Sequence, residues 1–476
     1  MVRFTAGLLN RLAVSIRDDF ARLSDHVQAL RRADDIRPGL YTYRVKDAGY
    51  SLRLHLRIHP DRTGLLFVNA TEAIQLSPTQ AEMAKLALDG MPQHQALARL
   101  RVYYPEVAAA ELAQQFGCIR SMVERLRAPA EGCRLCELGL PQPPPFSVRA
   151  QAPYKADLAL HYACNNRCSH CYNEPGRKTM PSLPLEQWKE VLQRLWDIGV
   201  PYIIFTGGEP TLHPHLVELV EYAEDLGQIT GVNTNGRRLA QPGFAQALQA
   251  AGLDHVQVTL NSHRRELHNR IVRAPAFDET VAGIRAALEA GLHVLTNTTL
   301  IADNADEALE IVDFLAALGL RTFAMNGMIY SGCGARHPAA LAEGQLQPIL
   351  LQVRQRAAEH GMRFLWYTPT RYCRMSPVAM GLGIRCCNAA EYSICIEPNG
   401  AVLPCQSYYV PAGNILTDPW EEIWESELFR RFRYRRQAPR QAGLPEECWE
   451  CELLDVCGGG CPLERQEQEV AETAAG

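Results

Sequence analysis

From Ala156 to about Trp366 the chain switches repeatedly between two hydrophobic periods. Short runs rich in β-branched and aromatic residues (ADLALHY, YIIFTG, ITGVNTN, HVQVTLN, HVLTNTTL and RTFAMNG) predict six strands. Between them, segments such as LEQWKEVLQRLWDIG, TVAGIRAALEAG and DEALEIVDFLAALG carry apolar residues at helical spacing, and glycine stops several of them. Repeated strand–helix units predict a parallel sheet with right-handed crossovers. About six units fall short of the eight of a closed barrel. The expectation is therefore an α/β fold: a partial (βα)6 TIM-like barrel over residues 154–366, with chemistry at the C-terminal ends of its strands.

Upstream the pattern changes. Residues 49–69 alternate apolar and polar around the turn PDRTG, which predicts a β-hairpin. LSPTQAEMAKLALDG follows as a helix with Ser77 as its N-cap, and helical spacing continues to about Leu126. A hairpin and three short helices predict a small winged-helix-like α+β domain over residues 48–138. Residues 1–47 are expected to form an N-terminal helical segment. Its apolar positions are broken by Arg11, Arg17, Asp18 and Asp19, so it reads as an amphipathic helix rather than a signal peptide. The Pro-rich stretch LPQPPPFSVRAQAP is expected to be a linker over residues 139–153.

Composition narrows the class. With 47% hydrophobic and 21% charged residues, a net charge of −5 and no apolar run long enough for a bilayer, the 476-residue chain suits a cytoplasmic globular protein. The arginine–aromatic run Arg430–Arg436 suits an RNA surface, yet its helical spacing and the overall negative charge favour a helix burying Phe429 and Phe432 with solvated arginines. Nine of the sixteen cysteines lie between Cys373 and Cys461, a clustering that favours metal ligation over disulfides.

Three further cysteines, Cys164, Cys168 and Cys171, follow the first barrel strand as C-x3-C-x2-C. Three thiolates leave a tetrahedral zinc site incomplete unless a fourth ligand arrives from elsewhere. They suffice for three irons of a 4Fe–4S cluster and leave the fourth iron open. Thr206-Gly207-Gly208-Glu209-Pro210 ends the second strand, and polar residues end the third to fifth. Together these resemble the radical S-adenosylmethionine (SAM) superfamily. The resemblance implies a SAM-binding 4Fe–4S cluster on the three cysteines and reductive cleavage of SAM to a 5′-deoxyadenosyl radical. It further implies SAM contacts from Gly207, Gly208 and Glu209, from Asn235 and Ser262, from Asn297 and Thr298, and from His170 near the adenine.

Cys387 is followed by twelve residues, Gly400, four residues and Cys405; Cys448, Cys451, Cys457 and Cys461 then follow as C-x2-C-x5-C-x3-C. These spacings resemble the SPASM extension, expected over residues 367–476, and imply one or two auxiliary iron–sulfur clusters. The resemblance puts Cys387, Cys405 and Cys461 on the first, with Cys373 and Cys386 competing for its fourth position. It puts Cys448, Cys451 and Cys457 on the second, whose last position falls to Glu464, another group or an open iron. A structural zinc site is the alternative for this region. Cys395 is expected in the core, Cys118 and Cys333 are single, and Cys133 with Cys136 form a further pair of undetermined role.

Residues 48–130 resemble PqqD-like peptide-recognition domains, which implies binding of a leader peptide by addition of a strand to a sheet edge. The resulting expectation is radical modification of a ribosomally made peptide, with a flavodoxin or ferredoxin as electron donor. Maturation of a partner enzyme or cofactor, modification of a sugar or tetrapyrrole, and a non-catalytic iron–sulfur carrier are the rivals. Tyr330, Cys333, Tyr367 and Cys373 lie in the region where a finishing acid, base or hydrogen donor belongs, and nothing singles one out.

Overall fold

The computed structural model describes residues 36–47, 50–69, 72–128, 146 and 149–466. The N-terminal segment before residue 36, the Cys133/Cys136 pair and most of the Pro-rich stretch lie outside the described residues. Two compact units divide within that stretch, at Gln142/Pro143. Among the described residues no helix is long and apolar enough to cross a membrane.

The first unit is a four-stranded antiparallel sheet ordered β1-β2-β3-β4, with β1 at Gly39–Asp47, β2 at Tyr50–Ile58, β3 at Gly64–Val68 and β4 at Glu72–Leu76. Helices Pro78–Leu88, Gln93–Tyr103 and Ala109–Arg127 follow. Leu54, Leu56, Leu66, Met83, Leu100 and Phe116 form its core. Ser77 caps the first helix as expected. Its hydroxyl accepts from the Gln80 amide at 3.3 Å while the Gln80 side chain accepts from the Ser77 amide at 3.0 Å. The expected helical segment 1–47 needs one correction: residues 39–47 are strand. LYTYRVKD alternates faces and pairs with β2 along its whole length.

The second unit carries a ten-stranded sheet. The six expected strands are all present: β5 (Lys155–His161), β6 (Tyr202–Gly207), β7 (Ile229–Thr234), β8 (His255–Thr259), β9 (His293–Thr299) and β10 (Thr322–Asn326). They run parallel and in sequence order, with helices in the crossovers, as the six-unit barrel predicts. Trp188, Phe205 and Phe323 are fully buried between sheet and helices. The sheet then extends past both ends of that array. β11 (Arg363–Trp366) adds to β10, while β12 (Ser393–Ile396) lies parallel to β5 and continues through β13 (Ala401–Leu403) to β14 (Gly413–Asn414). The cysteine-rich region is thus continuous with the barrel sheet.

The arginine run also departs from expectation. Phe429 and Phe432 are buried on helix Glu427–Arg433, as predicted, but Arg433, Arg435 and Arg436 are buried too. Arg436 grips both oxygens of Glu391 at 2.9 and 3.0 Å, Arg435 reaches the same carboxylate at 3.1 Å, and Arg433 pairs with Glu425 at 3.1 Å over the Trp424 ring. Helical spacing concerns one element only; the acidic partners come from elsewhere in the chain.

Candidate functional site

Because β5 to β10 are parallel, their C-terminal ends meet along one rim. The loop carrying Cys164, Cys168 and Cys171 leaves β5 there, and several neighbours hold its backbone. The amides of Arg167 and Ser169 donate to the carbonyls of Val272 and Ile271 at 3.0 and 2.9 Å, and the Cys333 amide donates to the Cys171 carbonyl at 2.7 Å. Arg237, at the end of β7, donates to the Asn165 carbonyl at 2.7 Å and to Asn166 Oδ1 at 3.0 Å. Asn173 Nδ2 donates to the Gly207 carbonyl at 2.7 Å.

Burial raises all three thiols, Cys164 to about 11, and they act on one another's charge. Three mutually disfavoured thiolates on a fixed loop are a donor set waiting for a cation, since metal binding is what makes their deprotonation favourable. The Asn166 amide already points at Cys164 Sγ from 3.4 Å. Among the described residues no three His, Cys, Asp or Glu side chains meet as a single metal ion requires. The donor chemistry fits a polynuclear cluster, with one thiolate to each iron.

The Gly207-Gly208-Glu209 turn is stitched to the start of this loop. The Gly208 and Glu209 amides donate to the His161 and Ala163 carbonyls at 2.7 and 2.9 Å. Gly207 sits at φ +124°, and a Cβ there would lie 2.2 Å from the His161 oxygen. Glu209 is buried and raised by desolvation, and hydrogen bonds oppose the rise. Its Oε1 accepts from the Thr211 amide and hydroxyl and from the Thr234 hydroxyl; among the described residues Oε2 accepts only the Asn235 amide, at 2.7 Å. Oε2 thus keeps a lone pair for a further donor.

The other expected SAM contacts differ in availability. Asn235 donates to Asn165 Oδ1 at 2.6 Å, so it braces the cysteine loop. Ser262 is fully buried and donates to Glu307 at 2.8 Å. Thr298 is fully buried, its hydroxyl donating to the Leu260 carbonyl at 2.6 Å. Its neighbour Asn297 donates to Asn326 at 2.8 Å but leaves Oδ1 buried without a partner, as Asn261 does with Nδ2. These unpaired atoms at the ends of β8 and β9 suit a polar ligand. His170 is buried and neutral, its pKa pushed down to about 4 by desolvation and then by His337 and His268. Sequence reasoning missed Asn165, Asn173, Arg237 and Asn326, and at the end of β8 it favours Ser262 over its neighbour Asn261. Arg237, directly after Asn235-Gly236, left a signal there.

The C-terminal cysteines form two neighbourhoods. Burial raises Cys405 and Cys461 to about 12, and both feel Cys387. Cys387 borders a cavity of about 170 Å³ also lined by Arg431, Arg435 and Arg465, a positive setting that suits an anionic cluster. Glu464 acts on Cys461. Cys386 accepts from Arg436 at 3.4 Å and lies beside Cys387. Cys395 is in the core, and Cys118 and Cys333 are exposed. Cys373 follows Tyr372, whose amide donates to Cys457 Sγ at 3.4 Å and whose hydroxyl accepts from the Arg385 amide, beside Cys386, at 3.0 Å.

Known proteins agree with this architecture. The radical SAM superfamily model matches residues 159–315, and an iron–sulfur cluster-binding domain, SPASM, matches residues 386–452. The mycofactocin maturase of Mycolicibacterium smegmatis is 30% identical over 331 residues, 66% of this chain and 80% of that protein. The AdoMet-dependent heme synthase of Oleidesulfovibrio alaskensis is 27% identical over 62% of this chain and 79% of that protein. The crystal structure of Streptococcus suis SuiB bound to its precursor peptide SuiA shares the fold. Its TM-score is 0.62 at 16% identity, covering 86% of this chain and 94% of that one. The second unit is only about seven-tenths of the chain, so the likeness reaches into the first. The chain is therefore an enzyme of the radical SAM superfamily with a SPASM domain, whose cofactors are a 4Fe–4S cluster, S-adenosylmethionine and auxiliary iron–sulfur clusters.

Proposed function

We propose that this enzyme modifies a ribosomally made peptide, with Cys164, Cys168 and Cys171 holding the SAM-binding cluster. The observation that carries the reading is the stitching of the cysteine loop to the Gly207–Glu209 turn, in a chain that also carries a separate unit built as a four-stranded sheet and three helices. When bound and reduced, the cluster and SAM supply a 5′-deoxyadenosyl radical that takes hydrogen from a substrate carbon. The chain's part is orientation. Arg237, Asn173 and Asn235 fix the loop; Glu209 Oε2 would accept from the SAM ammonium, and Asn297 and Asn261 would offer an acceptor and a donor to its ribose or carboxylate. His170, buried and neutral beside the cysteines, would be the aromatic residue near the adenine.

In the first unit, β1 and β4 are the outer strands, the edges to which an extended leader can add. The domain division (48–138 for recognition, extended back to residue 39 by β1, 154–366 for radical chemistry, 367–476 for auxiliary clusters) follows from this reading, and so does a low-potential donor of the flavodoxin or ferredoxin class. SuiB is a solved case of this fold with a precursor peptide bound, and the mycofactocin relative is named a maturase. The heme synthase relative favours a second substrate, a tetrapyrrole.

The test is anaerobic turnover of the reconstituted full chain with SAM, a low-potential reductant and the short peptides encoded beside its gene. Peptide-dependent 5′-deoxyadenosine and a mass change in one peptide are expected. Unchanged peptides, with a tetrapyrrole altered instead, would overturn the reading.

A further inference from the structure

We infer that Cys373 is the fourth protein ligand of the second auxiliary cluster, completing the set Cys448, Cys451 and Cys457. The inference rests on the reading that this region holds auxiliary clusters. Cys448, Cys451 and Cys457 come from one stretch of chain, and Cys373 lies seventy-odd residues earlier, yet the fold returns the earlier segment to that stretch.

Four contacts document the return. The Tyr372 amide, adjacent to Cys373, donates to Cys457 Sγ at 3.4 Å. Cys457 Sγ in turn lies 3.7 Å from the Thr370 carbonyl. Gly460 packs so closely on this segment that a Cβ there would lie 2.9 Å from Arg371 Cγ and 3.3 Å from its amide nitrogen. Arg371 reaches Glu447, next to Cys448, at 3.4 Å. Residues 370–372 are thus pinned to the turn that carries Cys457, and Cys373 follows directly. Tyr372 also meets the other group, its hydroxyl accepting from the Arg385 amide at 3.0 Å, but the cysteine sulfur that its amide reaches is Cys457 Sγ. Cys386 sits in the chain beside Cys387, under Arg436.

The chemistry is ordinary ligation: the Cys373 thiol gives its proton to solvent and binds one iron as the thiolate. Cys373 is exposed, while Cys448 and Cys457 are buried. It therefore closes the cluster on its solvent side. The Tyr372 amide donates to Cys457 Sγ, a contact of the kind that would tune the potential of a cluster held there.

The test uses the full chain carrying Cys164→Ala, Cys168→Ala and Cys171→Ala, so that only auxiliary iron remains. Iron and sulfide per chain are measured with the EPR spectrum after anaerobic reconstitution and reduction. Adding Cys373→Ala is expected to abolish or shift one of two cluster signals, the same signal that Cys448→Ala removes. Cys405→Ala should remove the other. Cys373→Asp, which keeps an anionic ligand, should restore the iron content with altered g-values. An unchanged signal in Cys373→Ala, or loss of the Cys405-dependent signal instead, overturns the inference. Absence of all iron in the parent triple variant overturns it together with the auxiliary-cluster reading, and is distinguished by appearing before Cys373 is touched.

Discussion

Replacing Gly208 by alanine should separate the two halves of the site. A Cβ at that position would stand 2.3 Å from the Ala163 oxygen, 2.5 Å from the Tyr162 oxygen and 2.6 Å from the Tyr162 carbonyl carbon. All three are backbone atoms, and each is roughly 1 Å inside an ordinary contact near 3.5 Å. No rotamer relieves the clash, so the turn must retreat. Retreat stretches the Gly208–His161 and Glu209–Ala163 hydrogen bonds, at about 1 kcal/mol each, and residual overpacking adds about 1–3 kcal/mol. The sum is a loss of about 3–5 kcal/mol, concentrated where the cysteine loop begins. Anaerobic urea unfolding reads the stability, and equilibrium dialysis of SAM reads the site. Gly176→Ala is the control, since its Cβ would meet nothing within 4 Å, and it should change stability by less than about 0.5 kcal/mol. If Gly208→Ala matches Gly176→Ala in both unfolding and SAM affinity, the stitched turn is not what positions the cofactor.

Gly117 interrupts helix Ala109–Arg127 with open space where a Cβ would go, so Gly117→Ala should stabilise the first unit by about 0.5–1 kcal/mol, seen as a higher unfolding midpoint. Arg436→Ala leaves the buried Glu391 carboxylate with Arg435 alone and should cost about 3 kcal/mol in denaturant unfolding; a cost under about 0.5 kcal/mol would show that Arg435 suffices. His268 is buried and its pKa is pushed down to about 4 by desolvation. The unfolded chain binds that proton near pH 6.5 and the folded chain only near 4, so stability should fall by up to about 3 kcal/mol as pH drops through that window. His268→Gln should flatten that part of the profile, and an unaltered slope would show that other groups set it.

The strands of the barrel were legible because each is an apolar run closed by a helix at its own period, and neighbouring evidence within a dozen residues decided them. β1 was not: its alternation hides among Arg44, Lys46 and Asp47, and only the partner β2 makes it a strand. β11 to β14 are two to four residues long, too short for any period to show. The same distinction holds at the site. Cysteine spacing and the Gly-Gly-Glu turn are local and could be read. The Arg237–Asn165 clamp, the unpaired Asn261 and Asn297 atoms, and the neighbourhood of Cys373 exist only once distant segments meet. The arginine run was misjudged for that reason, its partner Glu391 lying on another segment.

The pairing of β12 with β5 couples the order of events during biogenesis to the layout of the fold. β5 leads directly into the cysteine loop, yet one of its two neighbouring strands is supplied by the last part of the chain. Such a long-range parallel pairing forms late and slowly. Until β12 arrives, the apolar β5 presents a bare edge to other chains. A chain cut after Trp366 should therefore aggregate rather than survive as a smaller enzyme. The strand that launches Cys164, Cys168 and Cys171 is thus completed on one side only by residues more than two hundred positions later in the chain.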